Sequence, residues 1–401
     1  MTQPDPTIDA LHALLADDEA LAGRLVRSVT TAGERARADL DPTLHAALEW
    51  PGDLGQYEAY LRGFLRWIPQ QSDAEAWREQ APEERYAQEV SDRLAHFFFL
   101  VDQDVDGDGT SIGQSDDRFR DWLTGFAREW GSFLDTPESF SAEILQTFLR
   151  YAPEYTVEES LVDGEPNSPS GWLSFNQFFA RELNPGLRPV AEPSSNRVVT
   201  SPADCIYRHT FDIDEDSRVP GITIKKTHGY AGIGQLLVGS EHADAFAGGT
   251  FVHFMLPPSS YHRYHVPVGG RVLESFTVSG RAYLQVELSG GQLESKDSAQ
   301  TGYEFTQERG VVVIDTADAR GPGIGLVAVV PVGMSHVDSV TLTTTPGVHV
   351  AKGEEFGFFQ FGGSDIIVLM QAGARAQVDT TEGMRKVGTP VATCTPSGGG
   401  A

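Results

Sequence analysis

Glu355-Phe356-Gly357-Phe358-Phe359-Gln360-Phe361-Gly362-Gly363-Ser364-Asp365, running on into Ile366-Ile367-Val368-Leu369-Met370, joins two unlike apolar segments near the end of the chain. An aromatic strand pattern meets two glycines and a serine, and a second, apolar strand pattern follows. Backbone freedom and one hydroxyl are thus set between two stiff elements. Taken alone, a Gly-Gly-Ser connection reads as a hairpin turn or a bulge. Its surroundings decide whether the serine is anything more.

Upstream of this stretch the chain has a β texture. Short runs rich in Val, Ile, Thr, Phe and Tyr fall at 197–200, 206–213, 250–256, 270–278, 310–315, 324–332 and 339–344, separated by Gly, Pro and Asp clusters. One short helix is expected near 233–237, and an amphipathic one over 174–183, with Phe175, Phe178 and Phe179 on one side and Asn184-Pro185-Gly186 ending it. Before about residue 155 the pattern is helical. Ile8, Leu11 and Leu15 recur at helical spacing, as do Leu54, Tyr57, Leu61, Phe64 and Ile68. Further helices are expected over 88–100, 119–133 and 139–151, with Trp122, Phe126 and Trp130 as core residues. Turn formers crowd Val162-Asp163-Gly164-Glu165-Pro166-Asn167-Ser168-Pro169-Ser170-Gly171, which marks a boundary. The fold class is therefore α+β, with an acidic helical domain over 1–165 and a β-rich domain over 172–395.

Composition narrows the function classes. With 401 residues, 40% of them hydrophobic and 10% aromatic, the chain can bury two cores. Its formal charge is -27, and up to Gly171 there are 34 acidic residues against 13 basic ones. Such a surface repels nucleic-acid phosphates and anionic lipid headgroups, so no nucleic-acid partner is expected. No apolar run approaches the roughly 18 residues of a membrane span, and the N-terminus lacks signal-peptide character, so a cytoplasmic location is expected. Cys205 and Cys394 are too few for a disulfide framework or a zinc site, and no metal is expected. Asp102-Gln103-Asp104-Val105-Asp106-Gly107-Asp108-Gly109 opens like a calcium loop. However, Gly113 stands where the bidentate Glu belongs, so a solvated acidic turn is the favoured reading.

Three clusters could carry chemistry. Thr200-Ser201-Pro202-Ala203-Asp204-Cys205 places an acid before a strand. Tyr261-His262-Arg263-Tyr264-His265-Val266-Pro267 carries two histidines three apart, and Gly362-Gly363-Ser364 supplies the hydroxyl. An Asp, a His and a Ser are the parts of an activated nucleophile. Singly, each also reads as a turn cap, a core histidine or a turn residue.

Together with Phe178-Phe179-Ala180-Arg181, Gly186-Leu187-Arg188-Pro189, Phe246-Ala247-Gly248-Gly249 and Lys352-Gly353-Glu354, these clusters resemble the pyruvoyl-dependent phosphatidylserine decarboxylase family. The likeness runs from about Phe175 to Met370. The acidic helical domain, Trp122 to Ser139 above all, resembles the N-terminal extension of the soluble branch that includes L-tryptophan decarboxylase-like proteins. The resemblance implies a carboxy-lyase made as a zymogen. Ser364 would attack Gly363 and cleave the chain, with His265 as base and Asp204 orienting it. A pyruvoyl group, the cofactor, would be left on a 38-residue second chain that stays associated with the first. The ketone would form a Schiff base with a substrate amine, and His262 would return the proton after decarboxylation. The expected substrate is a free amino acid such as tryptophan. The alternative is phosphatidylserine, in phospholipid biosynthesis, and a different class of alternative is an unprocessed binding or scaffold protein. A homo-oligomer stays open. Cys205 and Asp365 depart from the family pattern. Asp365, next to the processed residue, could hold a substrate ammonium or slow self-cleavage.

Overall fold

The computed structural model describes residues 5–77, 88–224, 229–280, 284–295, 303–318, 323–333, 339–362 and 364–396. The chain divides into two compact units, Met1–Glu158 with Trp172–Asn176 and Arg281–Asp297, and Glu159–Gly171 with Gln177–Gly280 and Ser298–Ala401.

The first unit is built on helices Pro6–Asp17, Glu19–Asp39, Leu54–Phe64, Glu89–Phe99, Asp117–Leu134 and Ala142–Tyr151. Part of its acidity serves helix starts. The Asp5, Asp18, Asp53 and Asp116 side chains each accept a backbone N–H in the first turn of the helix that follows. A carboxylate there meets both the orphan donors and the positive end of the helix dipole. The Asp117–Leu134 helix buries Phe119, Trp122, Leu123, Phe126 and Trp130, so the aromatics whose spacing marks them as core lie in the core. Around them Phe64 packs 4.5 Å from Phe97 and 4.8 Å from Trp130 between ring centroids.

This unit also takes in a piece of the later chain, the hairpin Val286–Ser289 with Gln292–Ser295. The Val286 amide donates to Asp102 Oδ2 (2.8 Å) and the Asp41 amide donates to the Gly291 carbonyl (2.8 Å). In the acidic turn, Asp104 accepts from the amides of Gly107 and Gly109, and Asp106 pairs with Arg24 and Arg27. Among the described residues no group of His, Cys, Asp and Glu is arranged to hold a metal ion.

An eight-stranded antiparallel sheet organises the second unit. From edge to edge it runs His349–Val350, Gly270–Val278, Arg309–Asp315, Leu326–Gly333, Ser364–Met370, Thr250–Leu256, Cys205–Asp212 and Met384–Arg385. The serine strand is interior. Its seven residues pair in register with Leu326–Gly333 on one side and with Thr250–Leu256 on the other. All seven are buried, which is why the run has no polar alternation. On one face Ile367 and Leu369 pack with Phe251, Val311, Val313, Ala328, Val330 and Val332.

A smaller sheet, Val340–Leu342, Glu355–Phe359 and Arg263–His265, holds the histidine segment. The expected helix over 174–183 is only Phe175–Phe179. Beyond it the Ala180 carbonyl accepts from Arg263 Nε (2.7 Å) and the Asn184 amide donates to Glu159, so neither group is free to continue a helix. Cys205 and Cys394 are free and buried. Among the described residues no helix is long and apolar enough to cross a membrane.

Candidate active site

Ser364 is the first residue of the interior strand, and its side chain is wholly buried. Its Oγ lies 3.3 Å from His262 Nδ1 and 3.5 Å from the Gly362 carbonyl oxygen. The other ring nitrogen of His262, Nε2, is 3.1 Å from the Pro258 carbonyl. A carbonyl only accepts, so Nε2 carries the proton and Nδ1 presents a lone pair to the serine hydroxyl. Burial drives the His262 pKa down to about 3, which keeps the ring neutral. Phe179 stacks on it at 3.9 Å and 20°, and Phe361 meets Phe179 edge-on at 5.0 Å. The His262 imidazole is therefore neutral, oriented and held against aromatic rings. Gly363 lies outside the described residues.

His265, the expected base, does not reach the serine. Its Nδ1 donates to the Gly353 carbonyl (2.9 Å) and its Nε2 accepts from the Tyr261 hydroxyl (3.1 Å). Desolvation lowers its pKa as well. Asp204, expected to orient His265, instead makes a bidentate pair with Arg188 through Nε (2.9 Å) and Nη2 (2.5 Å), and its Oδ1 accepts the Val387 amide (2.8 Å). The physical reason for the exchange of partners is geometric. Residues three apart in an extended segment point to opposite sides, so only one of the two histidines can face Ser364. The other is turned toward the Lys352-Gly353-Glu354 turn.

The remaining motif residues hold this geometry. Lys352 Nζ donates to the carbonyls of Glu192, Ser195 and Val198 at 2.7–2.8 Å, anchoring the turn that carries the His265 acceptor. Arg188 also pairs with Glu159 (2.6 Å). In Phe246-Ala247-Gly248-Gly249, Gly248 has φ +67°, and a Cβ on Gly249 would stand 2.3 Å from the Met370 carbonyl oxygen. Both positions demand glycine where the serine strand meets its neighbour.

Asp365 does not approach the hydroxyl of Ser364. Its Oδ2 pairs with His253 Nε2 at 3.3 Å, and both side chains are fully buried. His253 belongs to none of the sequence motifs, and its one signal in the sequence is to be a lone histidine inside the apolar run Thr250–Leu256.

A buried serine held against an oriented neutral imidazole has the arrangement of an activated nucleophile. The sequence pattern of phosphatidylserine decarboxylase matches residues 175–392, and the chain belongs to that family. It is 31% identical over 256 residues to phosphatidylserine decarboxylase proenzyme 2 of Oryza sativa subsp. japonica, covering 64% of this chain and 37% of that protein. It is 30% identical over 263 residues to the decarboxylase iboD of Amanita muscaria, covering 60% of this chain and 73% of that protein. Against the phosphatidylserine decarboxylase proenzyme of Psychrobacter arcticus it is 31% identical over 238 residues, covering 57% and 80%.

Proposed function

We propose that the chain is a self-processing pyruvoyl-dependent decarboxylase that cuts itself between Gly363 and Ser364 and acts on a free amino acid. The observation that carries this reading is the buried contact of Ser364 Oγ with the lone pair of His262 Nδ1. In the uncut chain His262 takes the hydroxyl proton as Oγ attacks the Gly363 carbonyl carbon, which moves the acyl group from nitrogen to oxygen. Loss of that ester and uptake of water leave residues 1–363 and a 38-residue chain headed by a pyruvoyl group. Such a group supplies an electron sink for an amine substrate that is losing carbon dioxide. His262, pinned by Pro258 and Phe179, remains beside residue 364 and holds the proton that the substrate carbon receives. Asp204 and His265 act as positioning residues, the first through Arg188 and Val387, the second through Gly353 and Tyr261. The cut chain stays assembled because its serine strand is paired on both sides.

A free amino acid is favoured by the net charge of -27, which opposes an anionic lipid surface, and by the relation to the Amanita decarboxylase. The Phe179 ring stacked on His262, with Phe361 edge-on to it, suits an apolar or aromatic side chain. A second reading, phosphatidylserine as substrate, is favoured by what the plant and bacterial relatives are called. Intact-mass spectrometry tests the processing: the native chain should give two species, and Ser364→Ala a single uncut, inactive chain of 43.6 kDa. Assays of the cut protein with tryptophan, other amino acids and phosphatidylserine vesicles then separate the two substrates. Activity confined to vesicles sinks the amino-acid reading.

A further inference from the structure

Side chains alternate along a strand, so Ser364, Ile366 and Val368 project from one face of the interior strand and Asp365, Ile367 and Leu369 from the other. Asp365 thus enters the layer that holds Ile367, Leu369, Val330 and Val332. His253 reaches it diagonally from the neighbouring strand, where it is in register with Ile367. Among the described residues the pair is flanked by apolar side chains on the Leu326–Gly333 side and by His209, in register with His253, on the other. A buried acid and imidazole are generally less stabilising there than two apolar side chains of the same size, so the pair reads as functional.

Its position suits a step that the serine site leaves without a base. After the acyl shift the ester must be lost by elimination, which is easiest when the breaking C–H and C–O bonds are antiparallel. The base for the Cα proton therefore stands apart from Oγ, and Asp365 is the carboxylate next along the chain. His262 occupies the Oγ side, and Asp365 with His253 lies on the other.

We propose that Asp365, held by His253, is the base that removes the Cα proton of residue 364 during maturation; the proposal rests on the self-cleavage reading above. The Cα–H bond breaks and its proton passes to a carboxylate oxygen of Asp365. The electron pair forms the Cα=Cβ bond, the Cβ–Oγ bond breaks, and Oγ leaves within the new carboxylate of Gly363. The resulting enamine shifts a proton to Cβ to become an imine. Water hydrolyses the imine, ammonia departs, and the ketone remains.

Hydroxylamine tests this, because it cleaves an ester without needing the elimination. Native chain and Asp365→Asn are followed by intact mass, with and without neutral hydroxylamine. Asn keeps the shape and a hydrogen bond to His253 but is no base. Spontaneous cleavage should fall about 100-fold or more in the variant, the share that a positioned general base contributes. Hydroxylamine should still release a 38-residue chain that now begins with serine, leaving Gly363 as a hydroxamate. Spontaneous cleavage at the native rate overturns the proposal. So does a folded variant that resists hydroxylamine, since the block would then precede the ester. If Asp365→Asn does not fold, His253→Gln carries the test, with slowed spontaneous cleavage and retained hydroxylamine sensitivity expected and the same two results against it. A native chain that never cuts itself would instead refute the self-cleavage reading, a separate outcome.

Discussion

His262 is fixed from three directions, by a carbonyl at Nε2, a phenyl ring over its face and a hydroxyl at Nδ1. That makes a strong demand on one side chain. His262→Ala should slow self-cleavage and lower decarboxylation by whatever protein is cut at least 100-fold, read by single-turnover carbon dioxide release. His265→Ala removes the contacts to Gly353 and Tyr261 without emptying the space beside Ser364. It should slow cleavage by letting the neighbouring His262 drift, and chemical shifts of the His262 ring would report that drift. Unchanged cleavage in His265→Ala would take His265 out of the site. The sequence showed which residue types were needed but not which imidazole met the serine. Two histidines three apart cannot be ranked until one knows which side of the segment faces the serine strand.

At the scale of elements, β-branched and apolar runs mark six of the eight strands of the large sheet; His349–Val350 and Met384–Arg385, two residues each at its edges, are too short to carry such a run. The Val286–Ser289 and Gln292–Ser295 hairpin is not among the expected strands, although Gly290-Gly291 between two short runs is a hairpin signal. The shortened Phe175–Phe179 helix shows the reverse case, in which tertiary hydrogen bonds stopped a pattern that local spacing would have extended. Helix Glu89–Phe99 contains a testable cost. Asp92 is 4% exposed, and burial raises its pKa from 3.8 to about 7. The unfolded chain loses this proton first, so the penalty on the folded state begins above the unfolded value and is complete above about pH 7. Asp92→Asn should therefore gain about 2 to 4 kcal/mol at pH 8 in urea unfolding, with the gain vanishing near pH 4.

For the whole molecule the position of Ser364 matters more than its chemistry. Ser364 is the first residue of an interior strand, so the proposed cut would make the mature protein one sheet drawn from two chains. Before cleavage, folding is a single-chain event. After the proposed cut, an unfolded 38-residue chain would have to find its slot from solution. Uncut Ser364→Ala should recover from urea at a yield independent of protein concentration, while the processed protein should recover poorly and with a concentration-dependent yield, read by far-ultraviolet circular dichroism on dilution. Maturation by such a cut would work as a ratchet. The intact precursor would lay down a fold that its own products are poorly able to rebuild, so the lifetime of the processed protein would be set by how slowly it opens rather than by how readily it re-forms.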